Sequence, residues 1–394
     1  MNEKEIIELE DKIMANTFSK RQRVITRGKG ALVWDINGNE YIDCMGSYGV
    51  SIVGHCHPKV VDAVHRQVEK LIACHASFYN DARSEMLKKL SLIAPKGLDS
   101  IFVSNSGAVA VECAIKLARK YSGKTDIVAM VGAFHGKTMG ALSATWKKKY
   151  RDPFLPLVPG FKHVPPNNLD KVREAITDKT AAVLVEPVRG EGGILVPSDD
   201  FLPGLREICD EKDVLLIFDE VQTGFGRTGK VFACEHWNVV PDVMCLAKSV
   251  AGGLPMGATF ARENVMAAFQ RGEHSSTFSG NPLVCAAASA AIDVLVEEKL
   301  PERAATLGGY FKGKLEGLAD KYKIVREVRG LGLMLGMEMR FDVYNILLGC
   351  MDRGVIVLDA GRNVVRFLPP LVIEKGQIDR VVEVLDEVLA GENR

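Results

Sequence analysis

The run Val214-Leu-Leu-Ile-Phe218 is apolar at every position and ends directly in Asp219-Glu220. A strand with one solvated face alternates apolar and polar residues, whereas a strand covered on both faces reads as an unbroken apolar run. The segment therefore belongs inside a sheet that carries helices on both sides. A carboxylate at the end of such a strand is costly unless a cation or hydrogen-bond donors meet it. One lysine is placed to answer that charge: Lys248 lies downstream in AKSVAGG, after a second short apolar segment and framed by small residues.

The rest of the chain repeats the pattern. IFVSNSG (101–107) reads as a strand opening a helix over 108–121, and DIVAMV (126–131) as a second strand. AAVLVEP (181–187) leads to a helix over 201–213 and then to the Val214–Phe218 strand. Strands that alternate with amphipathic helices predict a mostly parallel α/β sheet. Before them, residues 24–43 read as a hairpin turning at Asn37-Gly38, and helical spacing runs from about Pro58 to Leu71. The proline-rich stretch 151–168 reads as a surface excursion between sheet elements. An Ala-rich helix over roughly 281–298 leads to a last segment that mixes strands (324–339, 355–359, 364–372) with a closing helix over 376–390. At 394 residues the chain exceeds the size of one ordinary core. The expected division is an N-terminal segment 1–54 packing with the small domain, a large domain 55–298, and a small α+β domain 299–394.

Fifty basic residues balance fifty acidic ones, which gives no footprint for nucleic acid or an acidic membrane surface. No apolar run approaches the ~20 residues of a membrane helix. The opening MNEKEIIELEDKI is charged and helical in pattern, unlike a secretion signal. Nine cysteines in a scattered, odd-numbered set fit thiols of a reducing compartment. The expectation is a soluble cytoplasmic protein without nucleic-acid or membrane partners.

Several motifs bear on chemistry. In SNSGAVAVECAIKLARK the small residues at Gly107 and Ala108 open a helix, where backbone N–H groups can receive a phosphate; a well-capped helix is the plainer reading. Gly224-Phe-Gly226-Arg-Thr-Gly229 has the spacing of a dinucleotide fingerprint, but no crossover helix follows and Asp219-Glu220 precede it. Gly54-His55-Cys56-His57-Pro58 offers adjacent ligands that cannot all reach one ion, so no metal is expected there. GAFHGKTMGALS sets Phe134 where it can stack on a flat ring, and His135 reads as a loop histidine satisfied by backbone. VEPVRGEGGILVP brings Glu186 and Glu191 to the loop preceding the Asp219 strand. VVRFLPP puts Arg366 in an apolar strand, where its guanidinium needs a carboxylate. A buried acid with a lysine among small residues suits pyridoxal phosphate: the acid keeps the ring nitrogen protonated, and the lysine attaches the aldehyde.

Taken in order, VWDINGNEYID, GHCHP, SNSGAVAVE, FHGKTMG, VEPVRGEGG, LLIFDEVQTGFGRTG, LAKSVAGG, HSSTFSGNP and VVRFLPP resemble the class III, fold type I, pyridoxal-phosphate aminotransferases along nearly the whole chain. TMGALSATW, YRDPFLPLV and RFLPPLVIEK are most similar to the acetylornithine aminotransferases and to their relatives that act on carrier-bound lysine or ornithine. The resemblance implies the fold type I architecture, a seven-stranded sheet in the large domain with a smaller α+β domain. It implies Lys248 as the Schiff-base lysine and proton carrier, Asp219 on the pyridine nitrogen, Gln222 near the ring hydroxyl and Phe134 on the ring face. Gly107 and Ala108 would hold the phosphate, joined by Thr277 from the partner subunit of a homodimer. Arg366 would bind the α-carboxylate of glutamate or 2-oxoglutarate, Glu191 would pair with Arg366 for the other substrate, and Glu186 would support them. The implied activity passes the terminal amine of an acylated ornithine- or lysine-type donor to 2-oxoglutarate, with a small acidic carrier protein as a potential partner. Free ornithine or 4-aminobutyrate transamination, a class III racemase or aminomutase, and a non-catalytic binding protein are the alternatives.

The chain departs from the family pattern at four places. Lys137 stands where FHGR has arginine, Arg189 where glutamine is usual, and Val109 where an acid is common. Serines replace glycines in HSSTFSGNP, with Ser276 at the substrate-adjacent position.

Overall fold

The computed structural model describes residues 1–392. The last two residues of the expected small domain, 393 and 394, lie outside the described residues. Strands β1 (Ile25–Lys29), β2 (Leu32–Asp35) and β3 (Glu40–Asp43) form an antiparallel meander. The turn between β2 and β3 is built by Asp35, whose Oδ1 accepts the amides of Asn37 and Asn39, and by Gly38 at φ +85°. A Cβ-bearing residue is strained at that φ, which is why glycine follows Asn37.

The large sheet holds β4 (Ser100–Ser104), β5 (Asp126–Met130), β6 (Phe161–Val164), β7 (Thr180–Val185), β8 (Leu215–Asp219), β9 (Val243–Leu246) and β10 (Gly257–Ala261). Its order is β4-β10-β9-β8-β7-β5-β6, seven strands in which only β10 runs antiparallel. Every residue of β7, β8, β9 and β10 is buried, the result of helices covering both faces. Ile217 and Leu184 point to one core and Phe218 and Val185 to the other, the period-2 alternation of a strand between two layers.

The proline-rich stretch 151–168 departs from its expected course. It supplies β6, the terminal strand, paired only with β5 through Ile127↔Phe161 to Met130↔Val164. Prolines at 153, 156, 159, 165 and 166 flank the strand and leave it four proline-free residues, and an edge strand needs a ladder on one side only.

A third sheet has the order β11-β12-β15-β14, from β11 (Val325–Leu331), β12 (Met334–Met339), β14 (Leu358–Asp359) and β15 (Val364–Phe367). Between its members, β13 (Val355–Ile356) leaves to pair in parallel with β3, so N-terminal and C-terminal residues share one sheet. The helix Pro282–Glu297 packs on Pro58–Val68 and Asp81–Ile93, Leu300–Lys321 lies on β11, and Lys375–Glu392 closes the chain. Among the described residues no helix is long and apolar enough to cross a membrane.

Candidate active site

The loops that follow β4, β5, β7, β8 and β9 meet at the carboxyl ends of the sheet, where an open α/β sheet gathers ligands. They enclose a cavity of about 450 Å³, lined by Ser106-Gly107-Ala108, Phe134-His135, Glu186, Glu191, Asp219, Gln222 and Lys248 among others. That volume lies within the ~300–1,000 Å³ of small-molecule sites.

Asp219 is the last residue of β8 and is 4% exposed. Its Oδ1 accepts the amide of Val221 at 3.1 Å, and its Oδ2 is met by His135 Nδ1 at 2.7 Å. The cation that sequence reasoning sought for this buried acid is therefore accompanied by a histidine contributed from another loop. His135 is fixed through its amide, which donates to Thr145 Oγ1 at 2.9 Å. Its side chain is not satisfied by backbone, as the sequence suggested: Nδ1 goes to Asp219, and Nε2 is buried without a partner. The sequence offers one signal for this role, a histidine in a glycine-rich bend directly after a strand.

Lys248 follows β9 and has φ +47°, a left-handed conformation that a lysine adopts only when its surroundings impose it. Burial pushes its amine below the ordinary lysine value, and Glu191 and Asp219 counter that shift. At the far side, Ser106 caps the helix Gly107–Ser122 by accepting the Val109 amide at 3.3 Å, while Gly107 and Ala108 open the first turn. First-turn amides have no intrahelical acceptor, so those that face the cavity are donors for an anion. A Cβ on Gly107 would lie 2.8 Å from Val221 Cγ1, so no larger residue fits between this helix and the loop after β8.

Glu186 accepts the amides of Phe134 at 2.9 Å and Gly190 at 3.0 Å. Burial raises its carboxyl above the ordinary range, with His135 opposing and Asp219 adding to the shift. Arg366, fully buried in β15, puts Nη1 2.7 Å from Glu191 Oε1 and 3.3 Å from Gln222 Oε1. Burial raises the Glu191 carboxyl, but the Arg366 guanidinium outweighs it and holds the group below its usual value. Nε and Nη2 of Arg366 are buried without partners, so the guanidinium has unused donors. Tyr48, in a left-handed backbone at φ 61°, stands over the guanidinium with its ring 5.7 Å from Cζ.

The residues present fit pyridoxal phosphate on these observations. A buried carboxylate suits a ring nitrogen, open helix amides suit a phosphate, and an amine of lowered basicity lines the same cavity as His135, whose Nε2 is buried without a partner, with the unsatisfied donors of Arg366 behind Glu191.

The family model described as aminotransferase class-III matches residues 13–389. The chain is a class III aminotransferase. It is thus a pyridoxal-phosphate-dependent transaminase. It is 50% identical over 384 residues to the acetylornithine aminotransferase of Methanopyrus kandleri, covering 97% of this chain and 98% of that one. It is also 45% identical over 387 residues to the [LysW]-aminoadipate semialdehyde transaminase of Deinococcus radiodurans, covering 98% and 90%. Among solved structures, the ornithine aminotransferase of Toxoplasma gondii superposes with a TM-score of 0.96 at 34% identity, covering 100% of this chain and 97% of that one.

Within this class III aminotransferase the cavity collects Gly107, Ala108, Phe134, Glu186, Glu191, Asp219, Gln222 and Lys248 from the sequence-based set, with Arg366 paired behind Glu191. Lys137, Ser276 and Thr277 are not among the lining residues of their own chain. Lys137 is exposed, its Nζ 5.1 Å from the centre of the Tyr150 ring, and Thr277 is exposed on the loop before the Pro282–Glu297 helix. The GFGRTG segment packs as structure: a Cβ on Gly226 would meet Leu295, Leu371 and Pro301, and Gly229 lies against Ala305. Arg227 there is fully buried and donates to the carbonyls of Leu333 at 3.0 Å and Pro369 at 2.6 Å. In GHCHP, His55 pairs with Asp43 at 2.7 Å, and His57 caps the Pro58–Val68 helix. Arg189, at the base of the Glu191 loop, donates to the carbonyl of Val131 at 3.1 Å.

Proposed function

We propose that the protein moves the terminal amino group of an acylated ornithine- or lysine-type donor to 2-oxoglutarate, releasing an aldehyde and glutamate. The observation that carries this reading is the 2.7 Å contact between Glu191, which lines the cavity, and Arg366 behind it. While the pair stands, Arg366 is neutralised and the pocket accepts a donor that brings only an amine and a chain. When a dicarboxylate enters, its α-carboxylate can take the guanidinium, which has two further unpartnered nitrogens. The named activities of the relatives in Methanopyrus kandleri and Deinococcus radiodurans support an acylated donor.

When bound, pyridoxal phosphate supplies an aldehyde to take up the amine and a protonated ring to accept the electron pair released at the amine-bearing carbon. Lys248 would hold the group through its aldehyde and, once the incoming amine has freed it, its Nζ would take up the proton that leaves the amine-bearing carbon of the donor. Its lowered basicity leaves a larger share of the amine neutral and able to accept that proton. Asp219 would keep the ring nitrogen protonated, and His135 holds Asp219 in place. Amides at Gly107 and Ala108 would hold the phosphate, Phe134 and Gln222 would hold the ring, and Glu186 fixes the Phe134 loop through the Phe134 amide.

In this reading Thr277 and Ser276 act across a homodimer, into the partner's cavity. Lys137 offers a charge at the rim to a distal carboxylate or to an acidic carrier. Residues 1–54 go with the small domain 299–394 around the large domain 55–298, and the compartment is the cytoplasm.

The test is a panel of single amines mixed with the cofactor-loaded enzyme, with loss of the aldehyde-form absorbance as readout. Acetylornithine or a carrier-linked amine should convert the enzyme faster than ornithine, lysine or 4-aminobutyrate. Faster conversion by a free amine would replace the acylated donor. Racemisation without any need for 2-oxoglutarate would replace transamination.

A further inference from the structure

Release of Glu191 from Arg366 raises a question about where its charge goes. The Arg366 guanidinium is fully enclosed and the Glu191 side chain is 24% exposed, so a carboxylate that leaves Arg366 within this loop still has most of its surface out of water. A largely enclosed carboxylate that loses its cation is destabilised strongly unless a second cation is within reach. The cations whose charge acts on Glu191 are Arg366, Lys248 and Lys147. Arg366 is the group being vacated, and Lys248 is committed to the chemistry of the cofactor.

Lys147 remains. It follows the helix Met139–Ala144, is half-buried, and its Nζ donates to the backbone carbonyl of Glu191 at 3.2 Å. Lys137 is no alternative, because its amine is exposed and placed over the Tyr150 ring. Tyr48 and Tyr150 also face the Glu191 charge, and neither supplies a cation.

The backbone of the Glu191 loop is held on several sides. Arg189 and Leu195 exchange hydrogen bonds at 3.1 and 3.0 Å, Glu186 accepts the Gly190 amide at 3.0 Å, and Arg329 Nε donates to the Gly193 carbonyl at 2.9 Å. Movement is thus left to the Glu191 side chain. Lys147 already touches that residue's own carbonyl, so its amine stands beside the root of the side chain whose carboxylate must find a new partner, with the loop in place.

We propose that Lys147 is a positioning residue for the keto-acid half of the reaction: it receives the Glu191 carboxylate when the α-carboxylate of 2-oxoglutarate or glutamate takes Arg366. The inference rests on the two-substrate reading of the pocket. It makes Lys147 the second seat of a two-position carboxylate, so Lys147 sets how readily the pocket changes from amine donor to amino acceptor.

The test uses the cofactor-loaded enzyme and measures the two half-reactions separately in single turnover, with acetylornithine and with 2-oxoglutarate. Lys147→Met should raise the apparent KM for 2-oxoglutarate about tenfold and alter the acetylornithine half-reaction far less, while Lys147→Arg restores most of the loss. Cofactor content and melting temperature of each variant separate this from misfolding. The deciding comparison is Lys147→Met in a Glu191→Gln background. With no carboxylate to receive, the loss of Lys147 should then change the KM for 2-oxoglutarate by less than about twofold. An equal effect in both backgrounds, or an equal effect on both half-reactions, overturns the proposal. If no terminal amine converts the enzyme, the donor reading fails instead, and the Lys147 comparison is still made with glutamate as the sole amine.

Discussion

His135 Nδ1 lies 2.7 Å from Asp219 Oδ2, with the imidazole fully enclosed and the carboxylate nearly so. The two side chains come from loops after different strands, β5 and β8, which are separated in the sheet by β7. Asp219 must keep one geometry for its free lone pairs to meet a ring nitrogen, and a carboxylate held only by its own Val221 amide could rotate. The imidazole removes that freedom, and its position is itself set by Thr145.

His135→Phe should therefore weaken cofactor retention and lower turnover together. Leaving a buried acceptor without its donor costs about 1–3 kcal/mol. Dialysis against buffer followed by cofactor titration should show roughly tenfold weaker binding, with kcat reduced by a similar factor. His135→Asn, which can place an amide donor near Nδ1, should recover part of both. Wild-type cofactor retention in His135→Phe would show that the Asp219 geometry does not depend on the histidine.

Lys248 makes a prediction with a defined sign. Its amine is depressed by burial, so the cofactor-free folded protein loses this proton at lower pH than the unfolded chain does. Between the two values the unfolded state binds the extra proton, and stability rises with pH there, up to about 10.4, the ordinary lysine value. Cofactor uptake, which needs the neutral amine, should climb over a pH range below that of exposed lysines. Lys248→Ala should lose the yellow cofactor absorbance and slow transamination by at least about 10²–10⁴-fold. Retention of the colour and of the wild-type rate would remove Lys248 from the chemistry.

Much of this was legible because the informative residues sit where strands end. An unbroken apolar run closing in Asp219, small residues around Lys248, and Gly107-Ala108 at a helix start are local patterns, each with a local physical cause. The role of His135 was not legible, because its partner is 84 residues away and a single histidine in a glycine bend carries no periodicity. β6 was hidden by prolines that flank a strand of four residues without entering it. Lys137 resembles a ligand by position in its motif, yet it is not among the lining residues of its own chain and its amine lies over the face of Tyr150, a placement made by tertiary packing.

Glu191→Gln should shift the balance between substrates. Removing the carboxylate frees Arg366 Nη1 from its 2.7 Å contact and leaves the guanidinium open to any α-carboxylate. Glutamate should then react faster relative to acetylornithine, by about tenfold in the ratio of kcat/KM values. Competition between the two donors in one reaction measures that ratio directly. An unchanged ratio would mean that the pair does not govern selectivity.

Glu220 offers a test of the scaffold that leaves the chemistry aside. It is next to Asp219 yet points away from the cavity lining, where Ala233 and Cys234 amides reach it at 2.7 and 2.8 Å and Thr223 Oγ1 at 2.9 Å. Burial pushes its carboxyl from 4.5 up to about 7, against the pull of those donors. Between these values the unfolded chain has lost the proton while the folded chain keeps it. The contribution to stability is thus full at low pH and falls as pH rises from about 4.5 to about 7, by no more than about 3 kcal/mol. Glu220→Gln cannot titrate, and its NH₂ must face one of the donors that the carboxylate oxygens accept, a loss of about 1–3 kcal/mol at any pH. Urea midpoints should therefore place the variant below wild type throughout, with the gap wider at pH 5 than at pH 7.5, while folded variant turns over near the wild-type rate. A gap of equal size at both values would show that Glu220 is ionised across the range, its three donors outweighing its burial.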